Sequence, residues 1–319
     1  MAEQLVIGID IGGQTTKCGV VDARGDVLSQ NVVRSDSHTD VKPYIDELAV
    51  ALKKLIADAD AEGSVRGIGV GAPNANYYTG EIENAVNLTW GVQGHIPFAK
   101  MLSEAMDGLP VALTNDANAA AMGEMTYGAA KGMKNFIMIT LGTGVGSGIV
   151  IDGKMVYGHD GFAGELGHTC MVRHNGRQCN CGKTGCLEAY CSAIGVARTA
   201  REWLDMSDEP SELRSLDKIS SKDVFDAAKN GDKLALKIFD YTGTLLGQAF
   251  ADFIQFSSPE AIVLFGGLAR AKEFLTDPIQ KAMNANVLPL WKNKVRLVYS
   301  QLKESDAAIL GASALAWEL

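Results

Sequence analysis

Short apolar runs separated by glycine-rich or polar turns open the chain. The runs at residues 5–10, 18–22 and 27–33 have the length of strands. Apolar positions between residues 42 and 61 then recur at helical spacing, and residues 68–73 return to a strand-like run. The order strand, strand, strand, helix, strand predicts a sheet that carries a helix on its face.

The same pattern occurs again in the middle of the chain. Residues 136–157 repeat the opening segment at a constant offset of 130 residues, so that Gly12 corresponds to Gly142 and Asp22 to Asp152. Two copies predict two similar half-molecules rather than a solenoid, which needs at least about three repeats. We therefore expect an α/β protein of two lobes with the ligand held between them.

Helical periodicity dominates the chain after residue 192. The spacing predicts helices at residues 193–204, 222–230 and 233–257, and then a fully apolar strand at residues 261–265. A glycine pair at the end of that strand would allow a ligand to approach the backbone closely. We expect the last helix, residues 307–319, to pack back on the first half of the molecule.

Composition and charge narrow the class of protein. Of 319 residues, 47% are hydrophobic and 21% are charged, which is an ordinary globular composition with enough length for two cores. The 29 basic and 38 acidic side chains give a net charge of −9 with no basic cluster, which predicts that nucleic acid is not a partner. Because the start of the chain lacks a positively charged segment and no apolar run could span a bilayer, we expect a cytoplasmic protein without a membrane partner.

An acidic residue and two glycines follow the first strand. In the segment Asp10-Ile-Gly-Gly-Gln-Thr-Thr-Lys17, Gly12 and Gly13 would let backbone N–H groups approach phosphate oxygens, while the Asp10 carboxylate could hold Mg²⁺. Thr15 and Lys17 add a hydroxyl and a positive charge to the same turn. A plain β-hairpin with a glycine turn is the alternative, because short glycine motifs are common.

A second glycine-rich turn follows the repeated strand. Gly142, Thr143 and Gly144 begin a run in which four glycines alternate with small or hydroxylated residues up to Gly148. Neither turn has the sequence of a P-loop or of a dinucleotide-binding fingerprint. Their equivalent positions in the two halves predict one phosphate chain held from both sides, and a merely flexible turn is the alternative.

Asn115 and Asp116 lie between a strand-like segment and a helix of small residues. An aspartate at such a junction can accept a proton from a hydroxyl group as a phosphoryl group arrives. The alternative is a helix N-cap, a position at which Asn and Asp are both preferred. Local sequence leaves both interpretations open.

One histidine and three cysteines are close together near the middle of the chain. His168, Cys179, Cys181 and Cys186 fit a tetrahedral Cys₃His zinc site, with glycines that would let a short loop surround the metal. Protein ligands would fill all four positions, so the predicted zinc is structural. A disulfide or unrelated buried thiols are the alternatives, although six cysteines are few for a disulfide scaffold.

Two carboxylates bracket this cysteine-rich segment. Glu165 lies three residues before His168, and Glu188 lies two residues after Cys186. A rigid loop with two carboxylates and an imidazole could present acceptors to several hydroxyl groups of a sugar at once. The segment therefore predicts one wall of a sugar site.

These four constellations, in this order, resemble the ROK family of sugar kinases and sugar-responsive repressors, and in particular its glucokinase-like members. The resemblance covers essentially the whole chain, and the cysteine segment with Glu165-Leu-Gly-His168 is its most specific part. It implies a two-lobed, actin-like (ribonuclease H-like) ATPase fold with a duplicated βββαβα core. The lobes would comprise residues 1–118 with 305–319, and residues 119–304 with the zinc loop and the adenosine side.

The resemblance also implies roles for individual residues. Asp116 matches the catalytic base, and Asp10 with the two glycine turns matches the ATP-phosphate and Mg²⁺ motifs. The positions that match sugar ligands are Asn87, Asn115, Glu165, His168 and Glu188, with His168 also a zinc ligand, and Gly266 and Gly267 match the adenosine-side turn.

The implied activity is transfer of the γ-phosphoryl group of ATP to the 6-hydroxyl of a hexose, with glucose as the first expectation. N-acetylmannosamine, N-acetylglucosamine, mannose, fructose and allose stay open, as does the preferred phosphoryl donor. The family usually has Pro-Gly where this chain has Pro73-Asn74, and the added side chain could alter the sugar pocket. The resemblance implies a homodimer or homotetramer.

Two other classes of protein compete with a kinase. A repressor or sugar sensor of the same family would carry a helix-turn-helix domain before the first glycine motif, which begins here at Asp10. An actin-like or Hsp70-like ATPase would share the fold but would not need Glu165, Glu188 and the zinc loop. The predicted site therefore favours the kinase.

Overall fold

The structure, a computed structural model, describes residues 4–92, 94–303 and 306–319. The first three residues, which bear on the signal-peptide prediction, and the predicted lobe boundary at residue 305 lie outside these ranges. The chain divides into two compact units. The first unit comprises Met1–Met133, Met155–Ala163 and Gln301–Leu319, and the second comprises Lys134–Lys154 and Gly164–Ser300.

Strands and helices are numbered along the chain. The first unit contains β1 (Leu5–Ile11), β2 (Thr15–Val21), β3 (Val27–Arg34), α1 (Val41–Asp58), β4 (Val65–Gly71), β5 (Ala75–Asn76), β6 (Glu81–Glu83), β7 (His95–Ile96), α2 (Phe98–Ala105), β8 (Val111–Thr114) and α3 (Asp116–Thr126). The second contains β9 (Phe136–Leu141), β10 (Val145–Ile151), α4 (Glu188–Cys191), α5 (Ala193–Met206), α6 (Ser221–Lys229), α7 (Lys233–Ser257), β12 (Ala261–Phe265), α8 (Lys272–Asn286) and β13 (Arg296–Tyr299). The short strand β11 (Lys154–Met155) pairs in the sheet of the second unit, although its second residue is counted with the first. The last helix, α9 (Ala307–Ala316), belongs to the first unit.

Each unit is built on a five-stranded sheet with the same topology. The order is β3-β2-β1-β4-β8 in the first unit and β11-β10-β9-β12-β13 in the second. In both, the first hairpin is antiparallel and the last strands are parallel. The bounds of β2 and β10 differ by the predicted offset of 130 residues. The internal duplication predicted from the sequence is therefore confirmed.

Strand β1 is buried on both faces of its sheet. Leu5, Ile7 and Ile9 contribute to a core that also contains residues of α1 and α2, whereas Val6 packs in a second cluster with residues of α9. A strand covered by helices on both sides needs apolar residues on both faces, which explains why residues 5–9 are all apolar.

Glycines in β1 and β4 allow α9 to lie directly on the sheet. A β-carbon at Gly8 would lie 2.1 Å from the carbonyl oxygen of Ile309, and one at Gly69 would lie 1.9 Å from that of Ala312. Since no side chain fits at either position, the backbones of the helix and the strands approach more closely than larger residues permit. The expected packing of the last helix on the first half is confirmed.

Helix α7 forms the centre of the second unit. It has the bounds that its apolar periodicity predicts, and it begins at an N-cap, Asp232, whose side chain accepts a hydrogen bond from the N–H of Ala235. Its apolar side packs against α8 and the sheet through Leu246, Phe250 and Ile254. Hydrophobic periodicity did not indicate α8 or the small β5-β6-β7 sheet, because α8 contains Pro278 in its interior and the three strands are only two or three residues long.

Helix α3 belongs to the first unit, where it packs against α9. The sequence interpretation began its second lobe at residue 119, which lies within this helix.

None of the helices in the described ranges combines the length and the apolar character that a bilayer crossing requires.

Candidate active site

Two aspartates lie on either side of Gly71 in the first unit. A β-carbon at Gly71 would lie 3.9 Å from Oδ1 of Asp10 and 3.7 Å from the Cα of Asp116. Burial and the neighbouring charge of Asp116 raise the pKa of Asp10 to about 6, and Lys17, the cross-strand partner of Asp10, opposes this shift. The structure thus brings together Asp10, Lys17 and Asp116, which the sequence analysis assigned to two separate motifs.

Asn115 and Asp116 together begin α3. Asn115 is the N-cap, and its Oδ1 accepts hydrogen bonds from the N–H groups of Ala117 at 2.7 Å and Asn118 at 3.4 Å. Asp116 is the first helical residue, and its Oδ1 accepts from the Ala117 N–H at 2.8 Å. The capping interpretation is therefore correct for Asn115, while the Asp116 carboxylate is held in place by the helix that follows.

The Asp116 side chain is open to solvent contact, yet protein atoms around it displace much of the surrounding water. This desolvation raises the pKa of its carboxyl, and the hydrogen bond from Ala117 opposes the shift. A carboxylate with a raised pKa accepts protons more readily than an ordinary surface carboxylate.

The first glycine turn joins β1 to β2. Its amide at Gly12 donates to the carbonyl oxygen of Thr15 at 3.0 Å, which closes the turn. Ser35 supports the turn from the end of β3, because its hydroxyl donates to the Gly12 carbonyl at 2.6 Å and its N–H donates to that of Gln14 at 3.0 Å. A β-carbon at Gly13 would lie 2.8 Å from the carbonyl oxygen of Asn87, so the loop with Asn87 lies against the turn.

Asn74, the departure from the family pattern, has a left-handed backbone with φ of +53°. Asparagine tolerates this conformation better than most residues, which explains why it can replace a glycine. Its Nδ2 donates to the carbonyl oxygens of Glu83 at 3.0 Å and Asn84 at 3.2 Å. The added side chain thus binds the backbone at the start of the loop that leads to Asn87.

In the second unit, Glu188 lies against the second glycine turn. Its Oε2 accepts from the N–H of Val145 at 2.9 Å, and a β-carbon at Gly144 would lie 2.4 Å from the same oxygen. The turn is closed by a hydrogen bond from the N–H of Gly142 to the carbonyl of Gly144 at 3.0 Å, and Thr143 at its tip is exposed. A residue predicted to bind sugar therefore contacts a turn predicted to bind phosphate.

Gly266 and Gly267 follow β12 in the same sheet. Gly266 has φ of +102°, a conformation that favours glycine, and a β-carbon there would lie 2.6 Å from the carbonyl oxygen of Leu141. Since Leu141 is the last residue of β9, the predicted adenosine-side turn is adjacent to the second glycine turn.

His168 and the three cysteines form one cluster. Their ligand atoms all lie within 4.8 Å of one another, with 3.8 Å between His168 Nδ1 and Cys179 Sγ and 3.7 Å between Cys181 Sγ and Cys186 Sγ. A tetrahedral zinc ion with Zn–S bonds of about 2.3 Å would place its ligand atoms about 3.8 Å apart. All six cysteines are free thiols, so the disulfide alternative is not what the structure shows.

The cluster contacts both carboxylates that flank it in sequence. The second ring nitrogen of His168, Nε2, lies 3.9 Å from Oε2 of Glu165, and Cys179 Sγ lies 3.6 Å from Oε1 of Glu188. Glu165, His168 and Glu188 are therefore grouped around the metal ligands, as the sequence analysis expected for one wall of a sugar site.

Arg177 holds this loop against the helices that follow, and the sequence analysis missed it. Its nearly buried guanidinium donates to Glu202 and to the carbonyl oxygens of Ala189 and Gly195, and it lies 4.5 Å from the ring centroid of Tyr190. The only signal in the sequence was a single arginine two positions before Cys179, the first cysteine of the cluster. Its partners are 12 to 25 residues away, so the local pattern did not indicate a role.

Comparison with known proteins gives consistent results. A family model described as the ROK family matches residues 6–318. Glucokinase of Halalkalibacterium halodurans is 37% identical over 316 residues, covering 98% of this chain and 94% of that protein. Glucokinase of Thermotoga maritima is 33% identical over 320 residues, covering 99% of this chain and 98% of that protein.

A solved structure of a ROK family glucokinase from Streptomyces griseus, in complex with glucose and AMPPNP, is also similar. It has a TM-score of 0.78 and 32% sequence identity, and the match covers 99% of this chain and 100% of that one.

Proposed function

The chain belongs to the ROK family and has the actin-like ATPase fold of its sugar kinases, and on this basis we propose that it phosphorylates glucose at the 6-hydroxyl with ATP as the donor. The observation that carries the proposal is the pair of aspartates beside Gly71. Asp116 is suited to accept a proton, and Asp10 is suited to hold the cation that accompanies ATP.

Asp116 is the proposed base. With Oδ1 engaged by the N–H of Ala117, its second oxygen can accept the proton of the sugar 6-hydroxyl. As the O–H bond breaks, the sugar oxygen forms a bond to the γ-phosphorus, and the bond from that phosphorus to the β–γ bridging oxygen breaks. The products are the sugar 6-phosphate, ADP and a proton that Asp116 releases.

Asp10 fits the role of a magnesium ligand. Its carboxylate is half-buried beside a second carboxylate, and this unfavourable arrangement, which raises its pKa to about 6, would be relieved by a cation. The bound Mg²⁺ would offset negative charge on the ATP phosphates. Gly12, Gly13 and Thr15 would hold those phosphates in the first unit, and Gly142, Thr143 and Gly144 would do so in the second.

His168, Cys179, Cys181 and Cys186 fit a structural zinc ion, because the ligand atoms are already spaced as a tetrahedral site requires. Four protein ligands would complete its coordination, so the ion would supply rigidity rather than an activated water. His168 Nδ1 faces the cluster, which would leave Nε2 for a sugar hydroxyl.

The proposed sugar ligands are Asn87 and Asn115 in the first unit, and Glu165, His168 and Glu188 in the second. Because Oδ1 of Asn115 caps α3, its amide group would act as a hydrogen-bond donor. The proposal includes the homodimer or homotetramer and the cytoplasmic location implied by the family, which sedimentation and cell fractionation would test.

The decisive experiment is an assay of ADP release with Mg²⁺, ATP and a panel of sugars, compared by kcat/KM. The panel contains glucose, mannose, fructose, allose, N-acetylglucosamine and N-acetylmannosamine. A clear lead for glucose supports the proposal. A lead for another sugar keeps the kinase mechanism and overturns the choice of glucose, and no turnover with any sugar overturns the kinase.

A further inference from the structure

Two segments of the first unit that carry different parts of the proposed site are joined through a buried pair of residues. We call residues 12–15 the phosphate turn and residues 84–91, which include Asn87, the sugar loop. We propose that Ser35 and Trp90 are positioning residues that hold the sugar loop against the phosphate turn, so that binding of sugar and binding of ATP strengthen each other. The inference rests on the proposed function.

Ser35 connects the two segments with three hydrogen bonds. It is completely buried, and its hydroxyl and N–H groups donate to carbonyl oxygens of the phosphate turn at Gly12 and Gln14. Its own carbonyl oxygen accepts a hydrogen bond of 3.2 Å from the indole Nε1 of Trp90, 55 residues away in the chain. The hydroxyl, the N–H and the carbonyl of Ser35 therefore all take part in joining the sugar loop to the phosphate turn.

Trp90 is fixed in its position by aromatic contacts. Its ring stacks on Tyr44 with 4.7 Å between centroids, and on Phe98 with 5.8 Å between centroids. The hydroxyl of Tyr44 in turn lies 2.5 Å from Oγ1 of Thr16, the residue that follows the phosphate turn. The indole is thus connected to the phosphate turn a second time, through Tyr44 and Thr16. A shift of the sugar loop would disturb this connection as well as the hydrogen bond to Ser35.

The two segments also touch directly. The carbonyl oxygen of Asn87 lies only 2.8 Å from the position that a β-carbon at Gly13 would take, closer than a side chain there permits. At its other end, the sugar loop is held by the hydrogen bond from Asn74 to the carbonyl oxygen of Asn84. Because the loop is fixed at both ends and packed in the middle, ordering of the phosphate turn by ATP should also order Asn87 for the sugar.

A network of this kind could instead serve stability alone, and the two roles predict different measurements. If Ser35 and Trp90 position the segments, their loss lowers the factor by which one substrate improves the affinity for the other. If they only stabilise the fold, the melting temperature falls while that factor stays unchanged.

The test uses Trp90→Phe, which keeps an aromatic ring for stacking but removes the N–H, and Ser35→Ala, which removes only the hydroxyl. Matched controls are Trp317→Phe, which removes an indole hydrogen bond to Tyr127, and Ser29→Ala, which removes a hydroxyl bond to the carbonyl of Leu55. A double variant carries Trp90→Phe and Ser35→Ala together. Calorimetry gives the glucose Kd with and without a non-hydrolysable ATP analogue and Mg²⁺, and melting temperatures are recorded for all six proteins, the wild type included.

We expect the ratio of the two Kd values to fall by about fivefold in Trp90→Phe, as for loss of one hydrogen bond, and to fall also in Ser35→Ala. In the double variant the losses should be less than additive, and the controls should keep the wild-type ratio. A wild-type ratio of one, or unchanged ratios in both single variants, overturns the inference while turnover of glucose upholds the proposed function. No wild-type turnover with any sugar overturns both.

Discussion

At the scale of single residues, the candidate site places acidic groups where they are costly to the fold. Asp10 has a pKa of about 6 against an ordinary 3.8, so the folded protein favours its protonated form. Its contribution to stability is therefore complete below pH 3.8 and is lost as the pH rises through about 6. A carboxylate placed where its charged form is disfavoured in this way is a candidate for function.

Asp10→Asn should consequently stabilise the free protein and abolish turnover. The amide has the shape of the acid without its charge, so we expect a gain of about 1–2 kcal/mol in the free energy of unfolding near pH 8, and a smaller gain near pH 5. Urea unfolding at the two pH values measures the difference. A variant that is less stable than the wild type near pH 8 would contradict the argument.

Asp116→Asn should separate binding from chemistry. Since the amide cannot accept the hydroxyl proton, we expect kcat to fall at least about a hundredfold while the glucose Kd changes by less than about threefold. Wild-type activity should be lost as the pH falls through the raised pKa of Asp116, because the protonated acid cannot act as a base. Asp107→Asn, which removes an exposed carboxylate paired with Lys53, is the control, and near-normal turnover in Asp116→Asn would exclude it as the base.

At the scale of elements, close packing of α9 on its sheet depends on two strand glycines. Gly69→Ala would place a β-carbon 1.9 Å from the carbonyl oxygen of Ala312, so α9 must move. We expect a loss of about 2–3 kcal/mol in the free energy of unfolding. Val32→Ala, at an exposed position of the same sheet, should change it little, and equal effects of the two substitutions in a denaturant titration would refute this account.

The cysteine loop should bind metal and sustain the sugar wall. We expect metal analysis to find about one zinc per chain, and Cys181→Ser to lose the zinc and to weaken glucose binding, because the loop that holds His168 and Glu188 would loosen. Cys170→Ser changes a thiol outside the ligand set and should retain both properties. A zinc-free wild-type protein with full activity would show that the loop needs no metal.

Elements with strong periodicity were predictable at this scale, and those with weak patterns were not. The 25 residues of α7 were predicted with their observed bounds because a long amphipathic run with an aspartate N-cap has few alternatives. The two-residue strands β5 and β7 leave no periodic signal, and α8 contains Pro278 in its interior, which argues against a helix in sequence analysis.

At the scale of the whole molecule, the duplicated sheets explain why the chain contains two equivalent glycine turns. Each turn joins the first two strands of its sheet, so each occupies the same place in the topology of its own unit. Two separate cores support the two sheets, one with α1 and α2 and the other with α5, α7 and α8. The chain therefore presents the same type of turn twice on two similar scaffolds.

The sequence by itself determined the duplicated strand order, the two glycine turns, the zinc-ligand spacing and the family. Each of these depends on a local pattern or on residues that are close together along the chain. Only the tertiary structure decided that Asp10 and Asp116 flank Gly71, that Ser35 supports the phosphate turn while Trp90 binds Ser35, and that Arg177 anchors the cysteine loop. These contacts join residues that are far apart in the chain. They depend on sheet order and register and on the packing of loops against helices, which hydrophobic periodicity does not specify.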